Sequence, residues 1–270
     1  MTHNEGRFTG LGGLHIYWQC WLPDGNPKAV LLIAHGFAEH SGRYGNVVRH
    51  FVPRGYAVYA PDHRGHGRSD GERVQVADFS EYVKDLKTFF DMVRRERPTE
   101  RIFLVGHSMG SMIALAYAAE HQHELAGLVT SGGGMARPGD PPPPPRPAGM
   151  PLDTAFLSRD PAVIKAYVED PLVYRGPLPR MSAMASMRDR LPEMVARIRL
   201  PALIMAGNGG PDGARSRVLY EHIGSQDKTL KLYEGLLHEI FNEPEHPLVM
   251  ADLEAWLEAR LGPGTRLPKH

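Results

Sequence analysis

The chain has 270 residues, 31 Lys and Arg balanced by 31 Asp and Glu, 42% hydrophobic and 8% aromatic residues, a globular composition that excludes a disordered, collagen-like or coiled-coil chain. Zero formal net charge with no basic stripe argues against a nucleic-acid partner. Cys20 is the single cysteine, which excludes an internal disulfide and a cysteine-based metal site and fits a reducing compartment. Residues 1–10 lack the charged-then-apolar order of a signal peptide, and no apolar run approaches the ~18 residues that span a bilayer, so a soluble, cytoplasmic protein is expected.

Short runs of branched apolar residues alternate with longer amphipathic segments, the rhythm of a mostly parallel sheet with helices on both faces. In chain order, strands are predicted at 14–21, 29–34, 56–60, 101–105, 125–130, 202–206 and 229–233. The first alternates in polarity and reads as a half-solvated edge strand. A helix is predicted over 79–95, where Phe79, Tyr82, Val83, Leu86, Phe89, Phe90 and Val93 recur at helical spacing before Pro98. A second begins right after Ser108, and a third near the end uses Leu248, Leu253, Trp256 and Leu257. After residue 130 the rhythm breaks: Gly132 to Gly134 and then the five prolines Pro141 to Pro145 form a stiff extended connector. The helical, Met-rich stretch that follows reads as an inserted cap over residues 135–195, laid on a core of 1–134 and 196–270.

The strongest chemical signal is Gly106-His107-Ser108-Met109-Gly110, G-x-S-x-G between a buried strand and a helix of small residues, the context of a nucleophile elbow. A serine hydroxyl needs a base to take its proton, and in the order Ser, acid, His that base comes after the last strand. His238 sits there. The oxyanion of a tetrahedral intermediate needs two backbone donors, one from Met109, after the nucleophile, and one from Phe37, in the loop after an early strand. Asp62, His63 and His66 superficially suggest a metal site, but no third His and no further carboxylate follows at ligand spacing. No metal or other cofactor is expected. Asp62 and Arg64 are assigned to holding their glycine-rich loop closed.

The elbow, together with the E-H-S-G-R-Y element Glu39 to Tyr44, Pro61 to Asp70, Leu157 to Pro161, Tyr167, Asp170 to Val173 and Leu230 to Gly235 leading to His238, resembles the monoacylglycerol lipase family of α/β-hydrolases. The resemblance spans residues 7–261. It implies an α/β-hydrolase fold and a serine hydrolase that cleaves carboxylic esters of glycerol through an acyl-enzyme, with a small lipid ester as partner; because Pro141 to Pro145 stand where the family has a long apolar stretch, at most weak membrane contact through the cap is expected. It makes Ser108 the nucleophile, His238 the base, Phe37 and Met109 the oxyanion donors, and sets Glu39, Arg43 and Tyr167 near the glycerol end. The family's acid follows the strand at 202–206 in a G-x-x-D pattern, where this chain reads Gly207-Asn208-Gly209-Gly210-Pro211-Asp212. An ungapped alignment puts Gly210 at the acid's place; in a shortened loop Asp212 takes that role, against a plain turn aspartate in Pro-Asp-Gly. A broad carboxylesterase, a lysophospholipase and a catalytically impaired lipid-binding hydrolase fold are the alternatives. Met181, Met184, Met187, Leu191 and Met194 lie near one helical face, either as an adaptable surface for acyl chains or as a stripe packed on the body.

Overall fold

The computed structural model describes residues 1–137, 153–179 and 181–262, so the proline run at Pro141 to Pro145 lies outside the described residues. Eight strands, β1 (Thr2–Thr9), β2 (His15–Leu22), β3 (Ala29–Ala34), β4 (Tyr56–Pro61), β5 (Ile102–His107), β6 (Gly127–Ser131), β7 (Ala202–Gly207) and β8 (Lys228–Tyr233), form one sheet in the order β1-β2-β4-β3-β5-β6-β7-β8. The strands from β3 onward run parallel, while β2 runs antiparallel to both its neighbours. β3, β4, β5 and β7 are buried along their whole length, which is why their sequences are continuous apolar runs and do not alternate.

All seven predicted strands are present, but β2 is not the edge. β1 lies outside it, paired from Thr2 against Leu22 to Thr9 against His15. The segment carries almost no buried face, so its polar sequence has no strand signature. Backbone pairing, the Tyr17 hydroxyl donating to Glu5 at 2.5 Å and Phe8 stacked on Phe89 at 5.5 Å hold it.

Among the described residues there are seven α-helices, α1 (Gly45–Phe51), α2 (Ser80–Glu96), α3 (Met109–His121), α4 (Pro161–Glu169), α5 (Ser182–Val195), α6 (Asp212–His222) and α7 (His246–Leu261), all but α4 packed on the sheet. α2, α3, α5 and α6 share one apolar core; α1 and α7 pack on the opposite face. α3 is buried on nearly every side, and only small and medium side chains let a helix sit so close to a sheet. In α5, Met187, Leu191, Met194 and Val195 are buried in that same core, with Met184 packed at its edge. The methionine stripe therefore packs on the body and is not an open acyl-binding surface. Residues 153–179 behave differently: Leu157, Tyr167 and Val173 form a small separate cluster with Ile164. There Asp160 caps α4 by accepting from the Ala162 amide at 2.8 Å, and Pro161 fills the first helical position.

Candidate active site

The parallel strands deliver their carboxyl ends to one edge of the sheet, where an open α/β fold presents its ligand-binding loops. At the end of β5 the chain turns abruptly into α3, and Ser108 sits in the turn at φ 54°, ψ −116°. A Cβ on Gly106 would lie 2.4 Å from the Gly110 carbonyl oxygen, and one on Gly110 would lie 2.0 Å from that of Ala34. Side chains at either position would force the turn open, so the two glycines are the steric condition for the strained serine. Met109 is the first residue of α3, so its N–H is among the donors left without an intrahelical acceptor.

The loop after β3 passes beside the serine: a Cβ on Gly36 would be 3.3 Å from Ser108 Cβ. His35 pins this loop. Its Nε2 accepts from the His63 amide at 2.8 Å, which leaves Nδ1–H to donate to the Gly36 carbonyl at 2.7 Å. Behind Phe37 stands His66, edge-on at 5.8 Å, its Nδ1 donating to the Arg64 carbonyl at 2.9 Å. Asp62 closes the neighbouring loop, accepting from the Ser41 amide and hydroxyl and from the Arg68 amide, while Arg64 grips Asp85 of α2. Among the described residues no group of three or more His, Cys, Asp or Glu is placed to hold a metal ion.

Burial keeps His35, His63 and His66 neutral by pushing their pKa values down, His66 to about 3 from an ordinary 6.5. Above about pH 6.5 both folded and unfolded chains carry His66 uncharged. Below it the unfolded chain takes up a proton that the folded one refuses, so stability falls with pH until about 3. Between pH 7 and pH 5 this costs about 2 kcal/mol for one such histidine. Urea unfolding at the two pH values is expected to show His66→Gln losing about 2 kcal/mol less than the parent chain across that interval; equal losses would refute the assignment.

His238 follows β8 on a loop turned by Gly235, whose φ is 75°. Its Nδ1 donates to Asp212 Oδ2 at 2.6 Å. Asp212 is buried at the start of α6, where the helix dipole favours a carboxylate. The two loops are zipped together by the Asn208 amide donating to the Tyr233 carbonyl at 2.8 Å and the Gly209 amide to that of Leu236 at 2.9 Å. The His238 ring lies 4.9 Å from that of His107, the residue before Ser108, and 5.1 Å from Phe156 of the insertion. The insertion holds this loop through its backbone too: the His238 and Glu239 amides donate to the carbonyls of Phe156 and Leu157 at 3.2 and 2.7 Å.

Glu39, Arg43 and Tyr167 lie together, Glu39 and Tyr167 buried and the Arg43 side chain nearly so. Glu39 Oε1 accepts from the Gly36 amide at 2.5 Å and the Tyr44 hydroxyl at 2.8 Å; its Oε2 accepts from Arg43 at 2.9 Å. Burial is the strongest single influence and opposes its charge, but the Arg43 guanidinium and the remaining neighbours, the Gly36 amide among them, together outweigh it and hold Glu39 down to about 2. Arg43 lies 4.5 Å from the Tyr167 ring centre, and the buried Tyr167 hydroxyl has no hydrogen-bond partner among the described residues. Sequence reasoning missed Glu239, which takes both Nη groups of Arg43 at 2.6 and 2.8 Å. A second acid directly after His238 was the only local sign of it.

The sheet order, the strained serine at the end of β5 and the late histidine paired with an acid after β7 define an α/β-hydrolase. A family model described as serine aminopeptidase, S33, matches residues 25–245. The chain is 40% identical to the monoacylglycerol lipase of Mycolicibacterium smegmatis, over 96% of this chain and 99% of that one. It is 33% identical to the monoglyceride lipase of Homo sapiens, over 92% and 88%. The crystal structure of Paleococcus ferrophilus monoacylglycerol lipase superposes with a TM-score of 0.74 at 28% identity, covering 96% of this chain and all of that one. The chain belongs to the monoacylglycerol lipase family of α/β-hydrolases.

Proposed function

We propose that this carboxylic ester hydrolase cleaves monoacylglycerols to fatty acid and glycerol through an acyl-enzyme on Ser108. His238 Nε2 takes the Ser108 proton as Oγ attacks the ester carbonyl, and Asp212 holds the imidazole by Nδ1 and stabilises the cation that forms. The Phe37 and Met109 N–H groups receive the oxyanion. As the intermediate collapses, His238 returns the proton to the departing glycerol oxygen; water, deprotonated by the same ring, then releases the fatty acid. Glu39, Arg43 and Tyr167 supply the polar pocket that a diol requires. The observation carrying this reading is the 2.6 Å Asp212–His238 contact beside a strained serine, with the buried Glu39–Arg43 pair next to it.

Residues 135–195 are read as the cap, anchored by α5. It touches the oxyanion side as well as the histidine side: the Tyr174 amide donates to the Ala38 carbonyl at 2.8 Å, and His40 Nε2 lies 2.8 Å from Asp170. No helix among the described residues is long and apolar enough to cross a membrane, and a cytoplasmic location with at most peripheral lipid contact is the reading adopted. On the described part of the cap, the large apolar side chains that are exposed are Phe156 and Val168, little apolar surface for interfacial docking.

The test is a panel of short- and medium-chain monoacylglycerols, lysophospholipids and simple soluble esters, run below and above the critical micelle concentration. The expected result is preference for monoacylglycerols, with little rate increase on crossing that threshold. Equal rates on simple esters would point to a broad carboxylesterase, and a sharp upward break would show that the cap docks on lipid.

A further inference from the structure

We infer that Glu239 sets the charge selectivity of the alcohol pocket, making the site refuse esters whose alcohol carries a phosphate. The inference rests on the monoacylglycerol reading above and narrows it. An arginine in a lipid-ester site is the group expected to seize a phosphate, because its planar fork matches the oxygens of that anion. Here both ends of the fork are taken. Glu239 accepts from Nη1 at 2.6 Å and from Nη2 at 2.8 Å, while Glu39 accepts from Nη1 at 2.9 Å. Two carboxylates thus face one guanidinium, all three side chains less than a tenth exposed.

Through Glu39 this excess of negative charge reaches the neighbourhood of Ser108. Glu39, Tyr44, His107, Glu239, Phe241 and Asn242 line one small cavity. The position of an absent Gly36 Cβ lies 2.8 Å from Glu39 Oε1 and 3.3 Å from Ser108 Cβ, so the carboxylate stands beside the serine. The buried Tyr167 hydroxyl, without a hydrogen-bond partner among the described residues, belongs to the ring over which Arg43 sits and offers a neutral hydrogen-bonding group, fit for a hydroxyl. The other charged pairs nearby, His40 with Asp170 and His238 with Asp212, carry no surplus cation. In a water-poor pocket, bringing a phosphate toward two carboxylates is penalised by like-charge repulsion that salt screens little.

The experiment compares kcat/KM for octanoylglycerol and its phosphate monoester, both below their critical micelle concentrations, in the parent enzyme, E239Q and E239D. The parent is expected to favour the neutral ester by about a hundredfold or more, E239Q to narrow that ratio by about tenfold, and E239D, which keeps the charge, to retain it. Comparable rates on the two esters in the parent, an unchanged ratio in E239Q, or equal loss of discrimination in E239D would overturn the inference. Should E239Q fail to fold, octanoylcholine tests the parent directly: this cationic ester is expected to be cleaved at least about tenfold faster than the phosphate ester, and equal discrimination against both charges would overturn the inference. A parent enzyme inactive on octanoylglycerol itself would instead remove the monoacylglycerol reading, and this inference with it.

Discussion

Ser108→Ala is expected to lower kcat by ~10⁶, about 8 kcal/mol of transition-state stabilisation. The effect is that large because the hydroxyl is the only route to the acyl-enzyme, and His238 and the oxyanion donors have nothing to act with once it is gone. The fold should survive. Alanine keeps a Cβ in the same φ 54° turn, so the backbone strain is neither added nor relieved, and the turn is held by the Ser108 amide donating to the Ser131 carbonyl at 2.9 Å whatever the side chain. A fluorophosphonate should label the parent chain and leave the variant unlabelled. Thermal unfolding within a few degrees of the parent would confirm that chemistry alone was lost, whereas a fall in kcat smaller than tenfold would remove Ser108 from its role.

The second large effect is Asp212→Asn, expected to cost ~10⁴ in kcat, as amide replacement does in other triads. The carboxylate can only accept, so it fixes the proton of His238 on Nδ1 and leaves Nε2 free to act as base. An asparagine amide at the same 2.6 Å contact can turn its NH₂ toward Nδ1 and put the proton on the wrong nitrogen. The charge that stabilises the imidazolium is lost as well. Steady-state rates on octanoylglycerol decide it: activity within threefold of the parent would mean that another group orients His238, and that the Gly209-Gly210 loop marks a triad without its acid.

How much of this site the sequence showed depended on how local each requirement was. The elbow was legible because its steric demands fall on adjacent residues: the contacts that forbid a Cβ at Gly106 and Gly110 are consequences of one turn. The strand rhythm was legible because a strand buried on both faces must be apolar throughout. β1 was not, since its stability comes from pairing with β2 and leaves no mark on its own side chains. The helices α1 and α6 also escaped notice. α1 is short, and α6 has no well-defined apolar stripe, so neither repeats apolar residues at helical spacing long enough to stand out.

By itself, then, the sequence determined the hydrolase class and marked the proposed serine, late histidine and Phe37 loop, because each is written in a contiguous run whose geometry follows from covalent structure and local sterics. The tertiary structure decided which acid reaches His238, across 26 residues, and that Glu239 meets Arg43 across 196. It also decided that the methionines of α5 face the body. These depend on how separate loops close over the same edge of the sheet, and loop closure is governed by glycines and backbone hydrogen bonds between distant segments. No periodicity or motif records those contacts, and they set the charge balance around the serine.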